Sequence, residues 1–346
     1  MTLIKSISGI RGTIGGKVGE GLSPLDVVKF ASAYGTWLQE VNNAKKLTII
    51  VGRDARISGP IVNSLVIASL RSLGINIIDL GLSTTPTVEI AVMMEKAHGG
   101  IIITASHNPK EWNALKLLNG KGEFISAAEG ERVLDIAERE AFNFAEVDKL
   151  GKLSKNNDYI QKHIDAVLRL PYVDKKAIAN ADFSIVVDAV NSTGGIAVPL
   201  LLDALGVKQV IGIHCEPTGV FAHNPEPLPA HLKDLSKAII DHNADLGITV
   251  DPDVDRLAMV CEDGSMFGEE YTLVAVADFV LSKNGGPTVS NLSSTRALRD
   301  ITEKHGHKYY ASAVGEVNVV EKMKEVNAVI GGEGNGGVIL PELHYG

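Results

Sequence analysis

The stretch IIITASHNPKEWNALK, Ile101 to Lys116, joins an apolar run directly to a polar turn. The run Ile101–Ile103 is β-branched, which is typical of a strand that is buried on both faces. A hydroxyl, an imidazole and an amide follow at Ser106, His107 and Asn108. An ordinary turn uses such residues, but open α/β sheets also bind their ligands at the carboxyl ends of strands. The stretch therefore predicts an α/β fold and makes Ser106 a candidate nucleophile.

The same kind of unit, an apolar strand that ends in acids, amides or glycines, recurs along the chain. Apolar runs alternate with helical patterns, as in layered α/β proteins. A charged segment at 141–160 and a polar one at 261–270 separate three blocks. We therefore predict three α/β domains, at 1–154, 155–260 and 261–346, with their loop-bearing edges lining a shared cleft. The recurring units are SIVVDAVNSTGG (184–195), LGITVDPDVDR (246–256) and AVIGGEGNGG (328–337).

Two helices of the first domain are predicted from apolar residues at helical spacing. Pro60 marks the first turn of the second helix, a position that proline favours. Both stripes are expected to pack on the sheet. The first is Val27, Ala31, Tyr34, Leu38 and Val41, and the second is Val62, Leu65, Val66, Leu70 and Leu73.

Composition excludes several classes of protein. The 346 residues are 45% hydrophobic, which is typical of a folded globular protein. The formal net charge is −9 and no basic cluster is present, which argues against a nucleic-acid partner. No apolar run approaches the roughly 20 residues that span a bilayer, so no membrane association is expected. The two cysteines fit a reducing compartment, and the cytoplasm is the expected location.

The segment DPDVDR is the strongest candidate for a metal site. Asp251, Asp253 and Asp255 follow an apolar strand directly. Three carboxylates this close repel one another unless a cation lies among them. Oxygen ligands with room for a phosphate oxygen suit Mg²⁺. A solvated acidic turn is the alternative interpretation. Arg256 comes next, and a guanidinium beside a metal is a phosphate-binding arrangement.

Three motifs together resemble those of the α-D-phosphohexomutase superfamily, which includes phosphoglucosamine mutase and phosphomannomutase/phosphoglucomutase. They are TASHNP, DPDVDR and GEGNGG, in this order, and the early segments SGIRG and GRDARISG agree with them. The resemblance extends over the whole chain. It implies α/β/α domains with mixed sheets sandwiched between helices, and intramolecular phosphoryl transfer on a hexose phosphate.

The resemblance also implies a role for each site residue. Ser106 corresponds to the catalytic phosphoserine, which completes an Mg²⁺ site with Asp251, Asp253 and Asp255. Arg256 corresponds to a phosphate-binding arginine and Arg11 to an active-site arginine. Candidate acids or bases are Lys116 and His107, and the residues expected to bind the sugar are Glu333 and Asn335. In GRDARISG, Arg53, Asp54 and Ser58 are expected to be scaffold. The implied cofactors are Mg²⁺ and a hexose 1,6-bisphosphate.

Two departures from the family pattern affect the choice of substrate. The commoner sugar loop reads G-E-x-S-G-H, whereas this chain has Asn335 and Gly337 in place of the serine and the histidine. Asn335 can still hydrogen-bond a hydroxyl. Overall resemblance favours glucosamine 6-phosphate to glucosamine 1-phosphate, with phosphomannomutase/phosphoglucomutase activity as the alternative.

The sequence also predicts that this chain carries three domains of a four-domain enzyme and is an incomplete enzyme. The family's fourth domain holds the distal phosphate with an R-x-S-G-T type of loop. The nearest match, NLSSTRALR at 291–299, is instead expected to form a strand-to-helix turn of the third domain.

Two other classes of function remain open from the residues alone. Asp251 and Asp253 form an Asp-x-Asp pair, which would suit a Mg²⁺-dependent phosphatase with an aspartyl nucleophile. A non-catalytic sugar-phosphate-binding protein is the other alternative, in which Ser106 is never phosphorylated.

Overall fold

The computed structural model describes residues 2–6 and 9–346, and for Ser6 it describes the backbone. The chain forms two compact units, one of residues 1–160 with 218–220 and one of residues 161–217 with 221–346. Within the described residues, none of the helices combines the length and the apolarity that crossing a bilayer requires.

The first unit is built on one mixed sheet of seven strands. The strand order is β1-β2-β6-β5-β3-β4-β7, with β5, β3, β4 and β7 parallel and β2 and β6 antiparallel to their neighbours. The strands are β1 Ile4–Ser6, β2 Gly9–Thr13, β3 Thr48–Arg53, β4 Asn76–Leu82, β5 Gly99–Ile103, β6 Trp112–Leu118 and β7 Leu153–Lys155. The helices are α1 Pro24–Val41, α2 Gly59–Ser72, α3 Thr85–Met94 and α4 Ala127–Arg139, and a short 3₁₀ helix spans Val147–Lys149.

Alternate residues of β3 show how this sheet is covered on both faces. Ile49 and Val51 pack in the apolar cluster that includes residues of α1 and α2. Ile50, between them, packs in a different cluster with residues of α3. Because successive side chains of a strand point to opposite faces, the sheet lies between helical layers. The predicted sandwich of a sheet between helices is confirmed here.

The predicted helical stripes are almost entirely correct. Ser23 and Asp26 form a capping box at the start of α1, and Pro60 lies in the first turn of α2. All predicted residues of both stripes are buried or partly buried in the core except Val41. Val41 is 58% exposed because it is the last residue of α1, where the helix ends.

The second unit contains two smaller mixed sheets. The first has the order β11-β10-β8-β9 and the second the order β13-β12-β14-β15. In each sheet only one strand, β11 or β15, is antiparallel to its neighbour. The strands are β8 Ser184–Asp188, β9 Gln209–Ile213, β10 Leu246–Val250, β11 Leu257–Cys261, β12 Thr288–Asn291, β13 Tyr309–Ser312, β14 Ile330–Glu333 and β15 Gly337–Ile339. The helices are α5 Tyr159–Val167, which begins in the first unit, α6 Lys175–Asn180, α7 Gly194–Leu205, α8 Lys233–His242, α9 Glu269–Lys283, α10 Ala297–Lys304 and α11 Glu316–Val326, with a 3₁₀ helix at Pro229–His231.

Both sheets of the second unit are also covered on two faces. In β8, Ile185 and Val187 pack with residues of α7, whereas Val186 packs with residues of α8. In the other sheet, Val289 packs with α11 and Ile330 packs with α9 and α10. The fold class of three α/β domains with mixed sheets is therefore confirmed, while the exact boundaries at 154 and 260 stay predictions. Residues 292–296 connect β12 to α10, as the sequence predicts for NLSSTRALR.

Candidate active site

The serine loop, residues 104–109, begins where the fully buried strand β5 ends. Ser106 has a φ of 48°, in the left-handed region that side chains other than glycine seldom adopt. Its backbone N–H donates to Oγ1 of Thr104 at 2.9 Å, and that hydroxyl donates to Oδ2 of Asp54 at 2.7 Å. The buried Asp54 carboxylate thus fixes the Thr104 hydroxyl, which in turn holds the backbone N–H of Ser106.

A second buried residue, Arg56, holds the other side of the serine loop. Its Nε donates to Oδ2 of Asp54 at 3.0 Å, and the side chains of both residues are 0% exposed. Its other two nitrogens donate at 2.5–3.0 Å to four backbone carbonyls, those of Ser106, Asn108, Pro109 and Trp112. Because one guanidinium satisfies four carbonyls at once, the loop has little freedom to move.

The segment GRDARISG therefore supplies the support of the serine loop. Ser58 accepts a hydrogen bond from Nδ2 of Asn113 at 2.9 Å, and Nη1 of Arg53 donates to the Asp54 carbonyl at 3.0 Å. Burial lowers the pKa of Arg53, although the Asp54 and Asp79 carboxylates act against this. These contacts agree with the expectation that Arg53, Asp54 and Ser58 are scaffold. Sequence reasoning missed Arg56, because nothing in its spacing indicates which carbonyls it contacts.

His107 lies beside the candidate nucleophile. Its Nδ1 is 3.3 Å from Oγ of Ser106. Adjacent residues in a sequence often point apart, so this contact could not be read from the motif. An imidazole at this distance can accept a proton from the hydroxyl or return one to it. The geometry is therefore compatible with the predicted acid/base role of His107.

Lys116 and Arg11 lie on neighbouring strands of the same sheet. Arg11 of β2 is paired with Ala114 of β6, and Lys116 lies two residues further along β6. Nζ of Lys116 is 5.6 Å from the ring centre of Phe124, a cation–π contact. Within residues 2–6 and 9–346, the buried Nε of Arg11 has no hydrogen-bond partner, so this donor is available to an anion. Ser8 of the SGIRG motif lies outside the described residues.

The acidic loop, residues 251–256, follows the end of β10. Oδ1 of Asp251 accepts from the N–H groups of Asp255 and Arg256, each at 3.2 Å. Val254 has a φ of 64°, which bends the loop back on itself. The hydroxyls of Ser192 and Thr193 donate to the Pro252 carbonyl at 2.6 and 2.9 Å. The loop is therefore fixed by its own carboxylate and by the turn after β8.

The three aspartates of the acidic loop converge. One carboxylate oxygen from each lies within 4.8 Å of the others, and Asp251 and Asp253 are fully buried. Burying carboxylates is costly unless a cation or hydrogen bonds compensate their charge. A set of oxygen donors with no nitrogen or sulfur is the one that Mg²⁺ prefers. The residues present therefore fit a hard divalent cation.

Arg256 faces a carboxylate that the sequence did not predict. Its Nη1 is 3.8 Å from Oε1 of Glu226, and its side chain is 18% exposed. The distance is longer than that of a good hydrogen bond, so the guanidinium keeps donors for another anion. Glu226 lies in the connection between β9 and the 3₁₀ helix, a segment that sequence reasoning did not examine.

The GEGNGG loop, residues 332–337, joins β14 to β15. Glu333 accepts through Oε1 from Asn291 and from the Gly315 N–H, the latter at 3.1 Å. Its Oε2 accepts from Nδ2 of Asn335 at 3.3 Å, and Oδ1 of Asn335 accepts from the Gly337 N–H at 3.1 Å. The two residues predicted to bind the sugar are thus in contact with each other.

The structure brings the GEGNGG loop next to the acidic loop. The N–H of Leu257, the first residue of β11, donates to the Gly336 carbonyl at 3.1 Å. A Cβ atom at Gly336 would lie 2.4 Å from the Leu257 carbonyl oxygen, and one at Gly334 would lie 2.7 Å from Oε2 of Glu270. Glycine is required at 336, where φ is 93° and the close atoms belong to the backbone. At 334 the close atoms are the end of the Glu270 side chain, which can shift to admit a Cβ atom. The candidate metal ligands and the candidate sugar ligands therefore share one rigid support within the second unit.

Comparison with known proteins identifies relatives of the whole chain. Three family models match in order: domains I, II and III, each described as an alpha/beta/alpha domain of phosphoglucomutase/phosphomannomutase, match residues 3–144, 161–264 and 268–346. A phosphoglucomutase/phosphomannomutase of Thermococcus kodakarensis is 36% identical over 97% of this chain and 73% of its own length. A probable phosphoglucosamine mutase of Methanopyrus kandleri is 31% identical over 97% of this chain and 71% of its own length.

A solved structure gives the same result. The crystal structure of a putative phosphomannomutase from Thermus thermophilus superimposes with a TM-score of 0.87 and 25% sequence identity. The match covers 100% of this chain and 77% of that structure. Together with the motifs, these matches confirm the resemblance stated above: the chain belongs to the phosphoglucomutase/phosphomannomutase family of phosphohexomutases.

Proposed function

We propose that this protein interconverts glucosamine 6-phosphate and glucosamine 1-phosphate through a phosphoserine at Ser106 and a hexose 1,6-bisphosphate intermediate. The observation that carries the proposal is the serine loop. A hydroxyl held in a left-handed turn by a buried Arg56–Asp54 pair, beside an imidazole, suits a group that must repeatedly accept and donate a phosphoryl group.

The proposed reaction has two halves. The phosphoserine donates its phosphoryl group to a free hydroxyl of the sugar phosphate, which forms the bisphosphate. The bisphosphate then transfers its other phosphoryl group to Ser106, and the sugar monophosphate that remains leaves as the product. In each half His107 or Lys116 would take the proton of the attacking hydroxyl, and the departing oxygen would receive a proton. The departing oxygen is that of Ser106 in the first half and that of the sugar in the second. Glu333 and Asn335 would hold the hydroxyls of the sugar, and Arg11 and Arg256 would bind phosphate oxygens.

Asp251, Asp253 and Asp255 would hold Mg²⁺ in this proposal. When bound, the ion would neutralise charge on the phosphoryl group during its transfer. Oxygen donors within 4.8 Å of one another support this assignment.

Replacing Asp253 by Asn is expected to weaken Mg²⁺ binding by more than about 100-fold, because it removes a metal ligand and not merely a group that orients one. Asp251→Asn and Asp255→Asn should act in the same direction. The combined triple variant should lose little more than the first variant does, since the three residues form one site. Calorimetric titration with Mg²⁺ measures these effects.

The matched control for these variants is Asp263→Asn. Asp263 is a fully exposed carboxylate in the same unit, which accepts from the Ser265 N–H at 2.9 Å. The Asp263→Asn variant should leave the Mg²⁺ affinity unchanged. Normal Mg²⁺ affinity in the triple variant would show that the acidic loop is only a solvated turn.

The substrate is tested with a panel of hexose phosphates. The protein is activated with glucose 1,6-bisphosphate and Mg²⁺, and kcat/KM is compared for the phosphates of glucosamine, glucose and mannose. We expect glucosamine phosphate to be preferred by at least about tenfold, a difference of roughly 1.4 kcal/mol in transition-state binding. A preference for mannose or glucose phosphate would assign the alternative, phosphomannomutase/phosphoglucomutase activity. The names of the relatives include both types.

The same samples separate the other two classes of function. Release of inorganic phosphate without isomerisation would indicate a Mg²⁺-dependent phosphatase. Tight binding of a sugar phosphate, with intact mass showing no phosphate on Ser106 under any condition, would indicate a non-catalytic binding protein.

A further inference from the structure

A second cluster of metal-ligating side chains lies in the second unit, apart from the acidic loop. It consists of Asp188, His214 and His223, whose ligand atoms all lie within 4.8 Å of one another. Asp188 is the last residue of β8, and His214 directly follows β9, the parallel neighbour of β8. His223 lies in the long connection that leads from β9 to the 3₁₀ helix at Pro229–His231. The cluster therefore joins two strand ends to a loop without regular structure.

Two of the three distances between ligand atoms in the cluster are close to those of a tetrahedral metal site. Oδ2 of Asp188 is 3.2 Å from Nδ1 of His214 and 3.0 Å from Nε2 of His223. Bonds of about 2.0–2.1 Å from a tetrahedral Zn²⁺ place neighbouring ligand atoms roughly 3.3 Å apart. The ligand atoms of the two histidines lie within 4.8 Å of each other, so all three ligand atoms surround one position.

The hydrogen bonds around the cluster fix the protons of one imidazole. Nδ1 of His223 lies 2.8 Å from the Asn224 carbonyl oxygen, which can only accept, so Nδ1 carries a hydrogen. In the neutral imidazole, Nε2 then presents a lone pair to the Asp188 carboxylate. Two lone pairs at 3.0 Å repel each other unless a cation, either a proton or a metal ion, lies between them. This contact of the outer nitrogen with a carbonyl is also the usual arrangement of a metal-bound histidine.

The other two ligands have polar neighbours as well. The outer nitrogen of His214, Nε2, is 3.7 Å from Oδ2 of Asp234. The second oxygen of Asp188 accepts from the Val190 N–H at 3.0 Å, and this carboxylate is 0% exposed. The two imidazoles are 23% and 13% exposed, so an ion can enter from the solvent side and keep one open position.

We propose that Asp188, His214 and His223 bind a divalent transition-metal ion of the Zn²⁺ and Co²⁺ class. Two nitrogens and one oxygen favour such an ion over Mg²⁺, which prefers oxygen ligands alone. The ion ties the connection between β9 and the 3₁₀ helix to the sheet. That connection carries Glu226, which faces Arg256, so the site also supports the position of a candidate phosphate-binding residue. The proposal does not depend on which sugar phosphate the protein uses.

The test is a Co²⁺ titration of the full chain after treatment with a chelator. Co²⁺ in a tetrahedral site with nitrogen ligands gives strong visible absorption bands, whereas Co²⁺ among oxygens alone gives weak ones. We expect a saturable strong band in the unmodified protein. His223→Gln and His214→Gln should each weaken Co²⁺ binding by more than about 100-fold, which exceeds the usual effect of losing a group that merely orients a ligand. Circular dichroism checks that both variants are folded.

Two controls make the result specific. His305 pairs with a carboxylate, and its Nε2 lies 2.6 Å from Oδ1 of Asp278. Because this pair contains a single imidazole, His305→Gln should leave the Co²⁺ band unchanged. Asp253→Asn removes a ligand of the acidic loop and should also leave it unchanged. Zn²⁺ should compete for the site and raise the Tm of the unmodified protein but not that of His223→Gln.

Either of two kinds of result would overturn the proposal. One is the absence of a strong Co²⁺ band in the unmodified protein, or its persistence in both histidine variants. The other is a nuclear magnetic resonance spectrum in which His223 stays doubly protonated at neutral pH when Zn²⁺ is in excess. In that case the cation beside Asp188 is a proton.

Discussion

Ser106→Ala is expected to lower mutase turnover by at least about 1,000-fold, because the residue that carries the phosphoryl group loses its only acceptor atom. The fold should survive. The support from Thr104 and Arg56 reaches the backbone N–H and the carbonyl of residue 106, and alanine retains both groups. Alanine in the left-handed region bears a backbone cost similar to that of serine, so the stability should change little.

The measurement combines steady-state turnover with intact mass after incubation with glucose 1,6-bisphosphate. The unmodified protein should gain one phosphate, and Ser106→Ala should gain none. His107→Gln is the matched control: it should still take up phosphate, although more slowly. If Ser106→Ala keeps most of its turnover, Ser106 is not the phosphate carrier. A small residual rate would instead be consistent with bisphosphate that bypasses the serine.

Arg56→Ala is expected to destabilise the first unit by about 3–5 kcal/mol, because it removes the buried cation that compensates the charge of the Asp54 carboxylate. Four backbone carbonyls would also lose a donor. Arg56→Lys should recover only part of the loss, since one ammonium cannot reproduce the planar fork of the guanidinium. Turnover should fall as well, since displacement of a reactive group by about 1 Å costs roughly 100-fold.

Thermal unfolding and amide hydrogen exchange at residues 104–109 measure this effect. Because the chain has more than one domain, exchange in the serine loop is more informative than a single midpoint. Arg132→Ala is the control within the same unit. Arg132 forms exposed ion pairs with Glu40 and Asp135, and its loss should change little. Unchanged exchange in Arg56→Ala would show that the serine loop is held by other contacts.

Local patterns were sufficient to predict the fold class and the strand ends at which the candidate site residues lie. An apolar run followed by polar residues can be recognised within a short segment of sequence. Such segments predict strand ends near Ser106, Asp251 and Glu333, and in the structure β5, β10 and β14 end there. The burial predicted from helical spacing was wrong only for Val41, which is exposed because it is the last residue of α1.

Contacts between distant segments could not be predicted in the same way. The carbonyls that Arg56 contacts begin 50 residues further along the chain. His214 and His223 lie 26 and 35 residues from Asp188, and they meet only because β8 and β9 are neighbours in the sheet. Periodicity within a window of residues carries no information about such pairings. A search for histidines that directly follow a predicted strand would have singled out His214.

The close packing of the GEGNGG loop restricts how this protein can acquire a new substrate preference. A side chain at 336 would collide with the backbone of Leu257, so selection cannot use this position. A side chain at 334 would first require the Glu270 carboxylate to move. Asn335 is held by the Glu333 carboxylate and the Gly337 N–H alone among the hydrogen bonds described for it, and its side chain can be exchanged without moving the backbone. A directed-evolution library aimed at a different hexose should therefore omit residue 336 and be concentrated on residue 335, with residue 334 varied together with Glu270.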